Sequence, residues 1–248
     1  MVALRCMDLY KSFGQVQALA GLWIEFQPGV TAIVGPNGAG KTTLLNVLTG
    51  FLKPDRGRCL VGARDITGLS PDRIARMGIA RTFQDLRLIT QVSVLENVLL
   101  AMPPERGERL FWALFGGGRA ASEDRAREEA RNLLRSVGVE QKASSLAGEI
   151  SYGQQKLLSL ACCIASCASI VLLDEPVAGL DVVVASQVMN ILRRLGSDGK
   201  VTVFIEHDIS AVRCVADVVV VMDEGRIVAQ GRPEEVLTRP EIAEVYLA

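Results

Sequence analysis

A glycine-rich run near the start of the chain could hold phosphate groups. The run and the residues after it are Gly35, Pro36, Asn37, Gly38, Ala39, Gly40, Lys41, Thr42 and Thr43. Glycines at this spacing let successive backbone N–H groups point at phosphate oxygens, while Lys41 can reach the terminal phosphates and the Thr42 hydroxyl can bind Mg²⁺. A chance glycine turn is the alternative interpretation. The run fits the P-loop pattern, so the sequence predicts a nucleotide-binding site over residues 35–43.

Two carboxylates, Asp174 and Glu175, lie at the end of a strand-length apolar run that begins at Ile170. Asp174 would hold water in the Mg²⁺ shell, because this cation prefers oxygen ligands. Glu175 would polarise the attacking water as a general base, which typically raises a rate by about 10²–10⁴. The alternative is an ordinary core strand that leaves the sheet through Pro176. Beside a P-loop, the two carboxylates predict Mg²⁺-dependent hydrolysis of ATP.

Strand-length apolar runs alternate with helical patterns around both motifs, which is typical of a parallel sheet covered on both faces. The predicted strands are Leu4–Tyr10, Gly21–Phe26, Val30–Val34, Ile170–Asp174 and Val201–Glu206, with a small hairpin region at 55–70 and a hairpin over Asp217–Ala229. The predicted helices are Lys41–Thr49, Pro71–Met77, about 93–102, Glu123–Val137, Gly153–Cys167, Asp181–Leu195, Ile209–Ala216 and 233–247. The middle third is helical and charged, with an insert at about 103–121. We therefore expect an α/β fold in which a helical sublobe is inserted.

The segment Ile150–Gln155 precedes a helical pattern, and by itself it indicates a helix that Ser151 caps. It also resembles the signature sequence Leu-Ser-Gly-Gly-Gln of the ATP-binding cassette (ABC) ATPases. Ser151, Gly153 and Gln154 match that pattern, whereas Ile150 and Tyr152 depart from it. In this family the helix start faces the γ-phosphate bound by the other subunit. The resemblance implies that Ser151, Tyr152, Gly153 and Gln154 contact the partner's ATP in a head-to-tail dimer.

Four further residues match functional positions of the ABC ATPases. The resemblance implies that Gln84 contacts Mg²⁺ and the nucleophilic water, and that His207 is a switch that contacts the γ-phosphate. It also implies that Asp181 communicates across the dimer and that Phe13 stacks on adenine. Core packing remains the alternative for Phe13, and a structural role remains the alternative for His207.

Residues 81–88 and 92–98 narrow the resemblance to the ATPases of branched-chain amino-acid importers and their urea and amide relatives. Those systems use two different ATPases, and residues 103–121 and 240–247 resemble the longer one. The resemblance implies permease subunits, a second ATP-binding subunit (identical or paralogous), a substrate-binding protein, and a peripheral position at the cytoplasmic face of the membrane. The alternatives are a generic ABC ATPase, a lipopolysaccharide-export ATPase, a soluble non-transport ABC ATPase, and a regulatory module that binds nucleotide without hydrolysing it.

The resemblance covers the whole chain and implies a P-loop NTPase with a mixed sheet core. We expect one ABC nucleotide-binding domain over residues 1–248. Its RecA-like core would comprise about 1–88 and 155–232, its helical subdomain about 89–154, and its C-terminal helix about 233–248.

Composition limits the remaining function classes. The 248 residues carry 27 basic and 28 acidic side chains, so net charge gives no reason to expect nucleic-acid binding. No secretory signal is visible, and no apolar run reaches the ~20 residues of a spanning helix. A single histidine makes a zinc site implausible. The six cysteines are predicted to be buried free thiols, as in a reducing cytoplasm; they are Cys6, Cys59, Cys162, Cys163, Cys167 and Cys214.

Overall fold

The structure, a computed structural model, describes residues 3–82, 86–103, 119–240 and 242. Contacts between residues divide the chain into two units. The core unit joins the chain before residue 85 to the chain after residue 168. The helical unit comprises residues 85–168.

The strands of the described residues all belong to the core unit. They are β1 (Leu4–Phe13), β2 (Val16–Phe26), β3 (Gly29–Val34), β4 (Arg56–Val61), β5 (Arg64–Asp65), β6 (Ile79–Arg81), β7 (Ile170–Asp174), β8 (Val201–Ile205), β9 (Val218–Asp223) and β10 (Arg226–Gly231). Strand β6 was not predicted, and β1 and β2 are longer than predicted. Their ladder continues to the pair Phe13 and Val16 around a tight turn. Lys11 and Ser12, which follow the end of the predicted first strand, are therefore still paired with residues of β2.

Six strands form a mixed sheet in the order β10-β9-β3-β8-β7-β6. Neighbours from β9 to β6 are parallel, and β10 is antiparallel to β9. All residues of β7 and β8 are buried, as expected where helices cover both faces of a sheet. Asp174 is level with Ile205 across these two strands. The carboxyl ends of β3, β7 and β8 therefore meet at one edge, where the predicted motifs lie.

The other four strands form an antiparallel sheet in the order β2-β1-β4-β5. Its inner face packs on the apolar core of the unit through Leu9, Leu19, Leu22 and Phe26, all of which are buried. Helix α1 adds Leu44, Leu45 and Leu48 to the same core. This core holds the P-loop helix against both sheets.

The core unit also contains five helices among its described residues. They are α1 (Lys41–Leu48), α2 (Pro71–Arg76), α6 (Val182–Ser197), α7 (Ile209–Val215) and α8 (Pro233–Val236). The prediction of one helix over 233–247 is wrong, since α8 ends at Val236 and a turn follows. A proline ring clashes with the carbonyl four residues earlier in a helix, so Pro240 prevents a continuous helix through Val236. Residues 241 and 243–248 lie outside the described residues.

The helical unit contains three α-helices among its described residues. They are α3 (Val94–Ala101), α4 (Arg119–Ser136) and α5 (Tyr152–Ala165), with a 3₁₀ turn at Glu140–Lys142. Helix α3 begins with the predicted capping box of Ser93 and Glu96. Helix α5 packs on both α3 and α4, which is why the contacts assign it to this unit although the sequence placed residues after 154 in the core. Within the expected insert at 103–121, residues 104–118 lie outside the described residues.

The cysteine prediction is only partly correct. Cys6, Cys59 and Cys163 are buried, Cys162 is half-buried, and Cys167 and Cys214 are exposed. Burial raises the pKa of Cys162 and of Cys163 to about 12. The exposed pair lies where the chain turns to solvent: Cys167 follows α5 with a positive φ of 54°, and the carbonyl of Cys214 accepts hydrogen bonds from Arg193.

Two absences hold for the part of the chain that the structure describes. It has no cluster of three or more His, Cys, Asp or Glu side chains that could hold a metal ion by themselves. It also has no helix with the length and apolar character needed to cross a bilayer.

Candidate active site

The glycine-rich run forms the connection between β3 and α1. Gly35 has a φ of 144° and Gly40 a φ of 94°, and both conformations favour glycine. A Cβ atom on Gly35 would lie 2.0 Å from the Met222 carbonyl oxygen, and one on Gly40 would lie 2.2 Å from the Ala18 carbonyl oxygen. The loop is therefore pressed against β9 and β2, and no larger residue fits at either position.

A hairpin turn holds the same loop from outside. The Gly225 N–H, in the turn between β9 and β10, donates to the Ala39 carbonyl at 3.1 Å. The Gly225 carbonyl accepts from the Ala20 N–H at 3.0 Å. This one turn residue thus joins the loop to a strand of the antiparallel sheet.

The lysine of the run is buried at the start of α1. Its Nζ donates to the carbonyl oxygens of Gly35 and Pro36 at 2.6 and 2.8 Å, so the ammonium lies inside the curl of the loop. Burial lowers the pKa of Lys41, and the negative charges of Glu175 and Asp174 oppose that shift. The Lys41 ammonium therefore lies close enough to both carboxylates for their charges to affect its pKa.

Asp174, at the end of β7, is paired with a residue that the sequence analysis did not single out. Arg81 Nη2 lies 3.0 Å from Asp174 Oδ2, and both side chains are only 5% exposed. Arg81 Nη1 also donates to Asn46 Oδ1 and to Thr49 Oγ1. The guanidinium thus joins β6, α1 and β7. In the sequence, Arg81 is visible as a charged residue that directly follows the short apolar run Ile79–Ala80. The sequence does not show that Asp174 is its partner.

Glu175 and His207 face each other across the carboxyl ends of β7 and β8. His207 Nε2 lies 3.2 Å from Glu175 Oε1. The Glu175 backbone has a positive φ of 47°, a region that non-glycine residues rarely adopt and that tends to occur at functional sites. Its N–H donates to the Ile205 carbonyl at 3.1 Å. The strained turn directs the carboxylate toward the histidine.

Glu206 is a second residue that the sequence analysis passed over. Its carboxylate is buried and accepts hydrogen bonds from the N–H groups of Val177 and His207 at 2.9 and 3.1 Å. Burial raises the pKa of Glu206; the hydrogen bonds from Val177, His207 and Asp208 N–H groups lower it, and the Glu175 charge raises it slightly further. Its position at the carboxyl end of a parallel strand was a usable signal.

Lys41, Glu175 and His207 lie on the wall of an open pocket of about 160 Å³ in the core unit. It is lined by Asn37, Gly38, Ala39, Gly40, Lys41, Thr42, Thr43, Glu175, Ile205 and His207. Nine of the predicted site residues thus line one pocket. A loop of backbone N–H groups, a buried ammonium and a carboxylate–imidazole pair can bind a polyphosphate and deprotonate a water molecule.

Phe13 does not belong to the apolar core. Its side chain is 48% exposed at the end of β1, and Lys11 Nζ lies 5.7 Å from the ring centroid. This exposure rules out the alternative of core packing. The ring is available to a planar ligand group.

The remaining described residues of the predicted site are not among the residues that line the pocket. Asp181 is exposed and caps α6, with its Oδ1 accepting from the N–H groups of Val183 and Val184. In the helical unit, Ser151 and Gln154 form a reciprocal capping box at the start of α5. Tyr152, which departs from the signature sequence, is exposed beside Lys156. Gln84 lies outside the described residues.

Comparison with known sequences decides the family. The sequence model of the family described as ABC transporter matches residues 21–178, which is more than half of the chain. The chain belongs to the ABC transporter family.

Individual ABC proteins support this assignment over the full length. The high-affinity branched-chain amino acid transport ATP-binding protein BraF of Pseudomonas aeruginosa is 36% identical over 247 residues, or 98% of this chain and 97% of its own length. The corresponding protein LivG of Escherichia coli K12 is 35% identical over 244 residues, or 96% and 95% of the two chains. A crystal structure of the ADP conformation of an ABC transporter cassette has a TM-score of 0.85 and 34% identity, covering 100% of this chain and 99% of that chain.

The ABC assignment confirms several expectations from the sequence. The α/β fold with a mixed sheet is that of an ABC ATPase. The chain is an ATP-binding subunit of an ABC transporter, and its activity is ATP hydrolysis. The predicted resemblance to the ATPases of branched-chain amino-acid transport is also confirmed.

Proposed function

We propose that the pocket of the core unit binds Mg·ATP and that Glu175 and His207 carry out its hydrolysis. The single observation that carries this proposal is the 3.2 Å contact between Glu175 Oε1 and His207 Nε2 on the wall of the P-loop pocket. A carboxylate in that position can take a proton from water, and the imidazole can hold the carboxylate and contact the terminal phosphate.

The residues around the loop divide the work of binding. Backbone N–H groups of residues 38–43 and the N-terminus of α1 would bind phosphate oxygens, and the Lys41 ammonium would neutralise the terminal phosphates. Phe13 would stack on adenine, which its exposed ring allows. Phosphoryl transfer requires mainly positioning and charge stabilisation from a protein, and these residues provide both.

The donor set fits Mg²⁺. Thr42 offers an exposed hydroxyl, and Asp174 offers a carboxylate close enough to Lys41 to affect its pKa. Mg²⁺ prefers oxygen ligands and keeps several of its water molecules when bound to protein. Asp174 would act through such a water molecule, and Gln84 would be a further oxygen ligand. When bound, Mg²⁺ supplies charge neutralisation on the β- and γ-phosphates. Arg81 fixes the carboxylate that would take part.

The hydrolysis proposal is tested by Glu175→Gln. This change keeps the size of the side chain but removes the proton acceptor, so we expect the rate of phosphate release to fall by about 10²–10⁴. ATP affinity, measured by equilibrium binding, should stay close to the parental value. Glu234→Gln, which changes an exposed carboxylate of α8, serves as the control. Phosphate release by Glu175→Gln at the parental rate would show that the base is another group.

The helical unit would complete the site of a second subunit. Ser151 Oγ accepts the Gln154 N–H at 3.3 Å, and its hydroxyl proton can donate to a phosphate oxygen. We propose a head-to-tail dimer, with an identical or paralogous subunit, in which Ser151, Tyr152, Gly153 and Gln154 contact the partner's ATP and Asp181 lies at the interface. In this arrangement the whole chain serves as one nucleotide-binding domain.

The transported cargo is proposed from the relatives. BraF and LivG are named for branched-chain amino acid transport, and we propose import of these amino acids or of related small amides or urea. The partners would be permease subunits and a substrate-binding protein, with this chain peripheral at the cytoplasmic face. Purification of the intact complex, followed by uptake of labelled leucine or urea into vesicles that contain it, tests the cargo. A complex that instead moves lipopolysaccharide outward would contradict the importer proposal.

A further inference from the structure

We propose that Glu206 is a positioning residue that fixes Glu175 and His207 relative to each other. The inference rests on the proposed roles of those two residues in hydrolysis. Glu206 does not line the pocket, so it acts through its neighbours. Glu206 thus adds to the proposed site a residue on which the geometry of Glu175 and His207 depends.

The two oxygens of the Glu206 carboxylate bind two different segments of the chain. Oε1 accepts the Val177 N–H at 2.9 Å, in the turn that follows Glu175. Oε2 accepts the His207 N–H at 3.1 Å. The side chain is buried, with an exposed fraction of 3%. A charged acceptor makes such bonds stronger than those between neutral groups.

These bonds close a ring of contacts around the pair. One residue, Pro176, separates Glu175 from Val177, and the Glu206 carboxylate joins Val177 to the His207 backbone. The ring is completed where His207 Nε2 meets Glu175 Oε1 at 3.2 Å. Opposite Glu206, the Glu175 N–H donates to the Ile205 carbonyl. The turn after β7 is thus tied to the end of β8 on both sides of the catalytic carboxylate.

The residue type fits this role better than a simple packing role. Burying a carboxylate opposes folding unless hydrogen bonds compensate, and an apolar side chain would avoid that cost. Only a carboxylate offers two acceptor oxygens to two N–H groups, because a glutamine has one acceptor oxygen and an NH₂ group that donates. Glu206→Gln would therefore keep the volume of the side chain but break one of the two bonds.

The test is the kinetics of Glu206→Gln, with Glu234→Gln as the matched control. We expect kcat for ATP hydrolysis to fall by about tenfold, as for the loss of one charge-assisted hydrogen bond. KM for ATP should stay within about twofold, since the phosphate-binding loop is untouched. A residue that only stabilised the fold would change neither constant in the folded protein. Equal kcat values in the two variants would overturn the proposal.

A second readout follows the histidine directly. The chain has one histidine, so imidazole NMR signals report on His207 alone. We expect these signals to shift in Glu206→Gln and to stay unchanged in Glu234→Gln. An unchanged His207 spectrum in Glu206→Gln would overturn the proposal even if kcat fell.

Two further measurements keep the outcome clear. If Glu206→Gln does not fold, amide hydrogen exchange of the parental protein replaces it: slow exchange at Val177 supports the buried bond, and exchange as fast as at an exposed loop amide overturns it. Glu175→Gln separates this inference from the proposed function. Loss of hydrolysis in Glu175→Gln together with parental kcat in Glu206→Gln would reject Glu206 alone, whereas parental rates in both would reject the proposed function.

Discussion

The core unit and the helical unit use different kinds of contact to hold the segments that carry their predicted site residues. In the core unit, Asp174 is fixed by Arg81, which lies 93 positions away in the chain, and Val177 is bound by Glu206, 29 positions away. In the helical unit, Ser151 and Gln154 are fixed by each other, three positions apart. The Asp174 and Glu206 side chains are buried, whereas Ser151 is exposed.

This difference explains what each half of a site can do alone. Buried pairs from distant segments form only when the whole unit is folded, and they hold their side chains before any ligand arrives. A local capping box requires one turn of helix and leaves its serine facing outward. In the proposed dimer, the core half would therefore be preorganised for chemistry, while the helical half would present a contact to the partner's ATP.

The largest expected effect comes from breaking the buried pair. Arg81→Met removes the guanidinium and leaves Asp174 as a buried charge without its partner, so the free energy of unfolding should fall by about 3–5 kcal/mol. Denaturant-induced unfolding of the purified protein measures this. Asp174→Asn combined with Arg81→Met should recover part of the loss, because no uncompensated charge then remains.

The helical unit provides the control for that prediction. Arg135 and Glu140 form an exposed pair with a shortest N–O distance of 2.5 Å. Exposed pairs contribute little because water screens them, so Arg135→Met should change the free energy of unfolding far less than Arg81→Met. Similar losses in the two variants would show that burial does not distinguish the two units.

A smaller effect is expected within the P-loop. Gly38 and Gly40 both have positive φ values, so alanine at either position adds backbone strain of about 1–3 kcal/mol. A Cβ at Gly40 would also lie 2.2 Å from the Ala18 carbonyl oxygen, whereas one at Gly38 would have no neighbour within 4 Å. Gly40→Ala should therefore lose more stability and more ATP affinity than Gly38→Ala. Thermal unfolding and equilibrium binding measure the two losses, and equal losses would mean that close packing of the loop is unimportant.

The smallest effect on stability is expected at Ser151. Ser151→Ala removes the cap of α5 and should cost about 1 kcal/mol, while Ser151→Asn keeps a good capping residue and should cost little. If Ser151 also contacts ATP of a partner subunit, both variants should lose ATPase activity. Parental activity in Ser151→Asn would show that the residue only caps its helix.

The sequence predicted the features that depend on neighbouring residues. The P-loop, the two carboxylates at the end of β7 and the capped start of α5 are each contained in a few consecutive positions, and the structure has each of them in the expected element. Strand β6 was missed because three residues carry too little pattern. The partners of Arg81 and Glu206 could not be inferred, because a single sequence shows which residues are charged but not which distant residues they meet.

The hairpin turn at Gly225 has a consequence for protein engineering. Turns at the tips of surface hairpins usually accept inserted tags or fluorophores. The Gly225 tip does not, because its backbone is clasped between Ala20 and Ala39. An insertion at Gly225 would displace the nucleotide-binding loop through the Ala39 contact, so a reporter of transporter assembly belongs elsewhere in the chain.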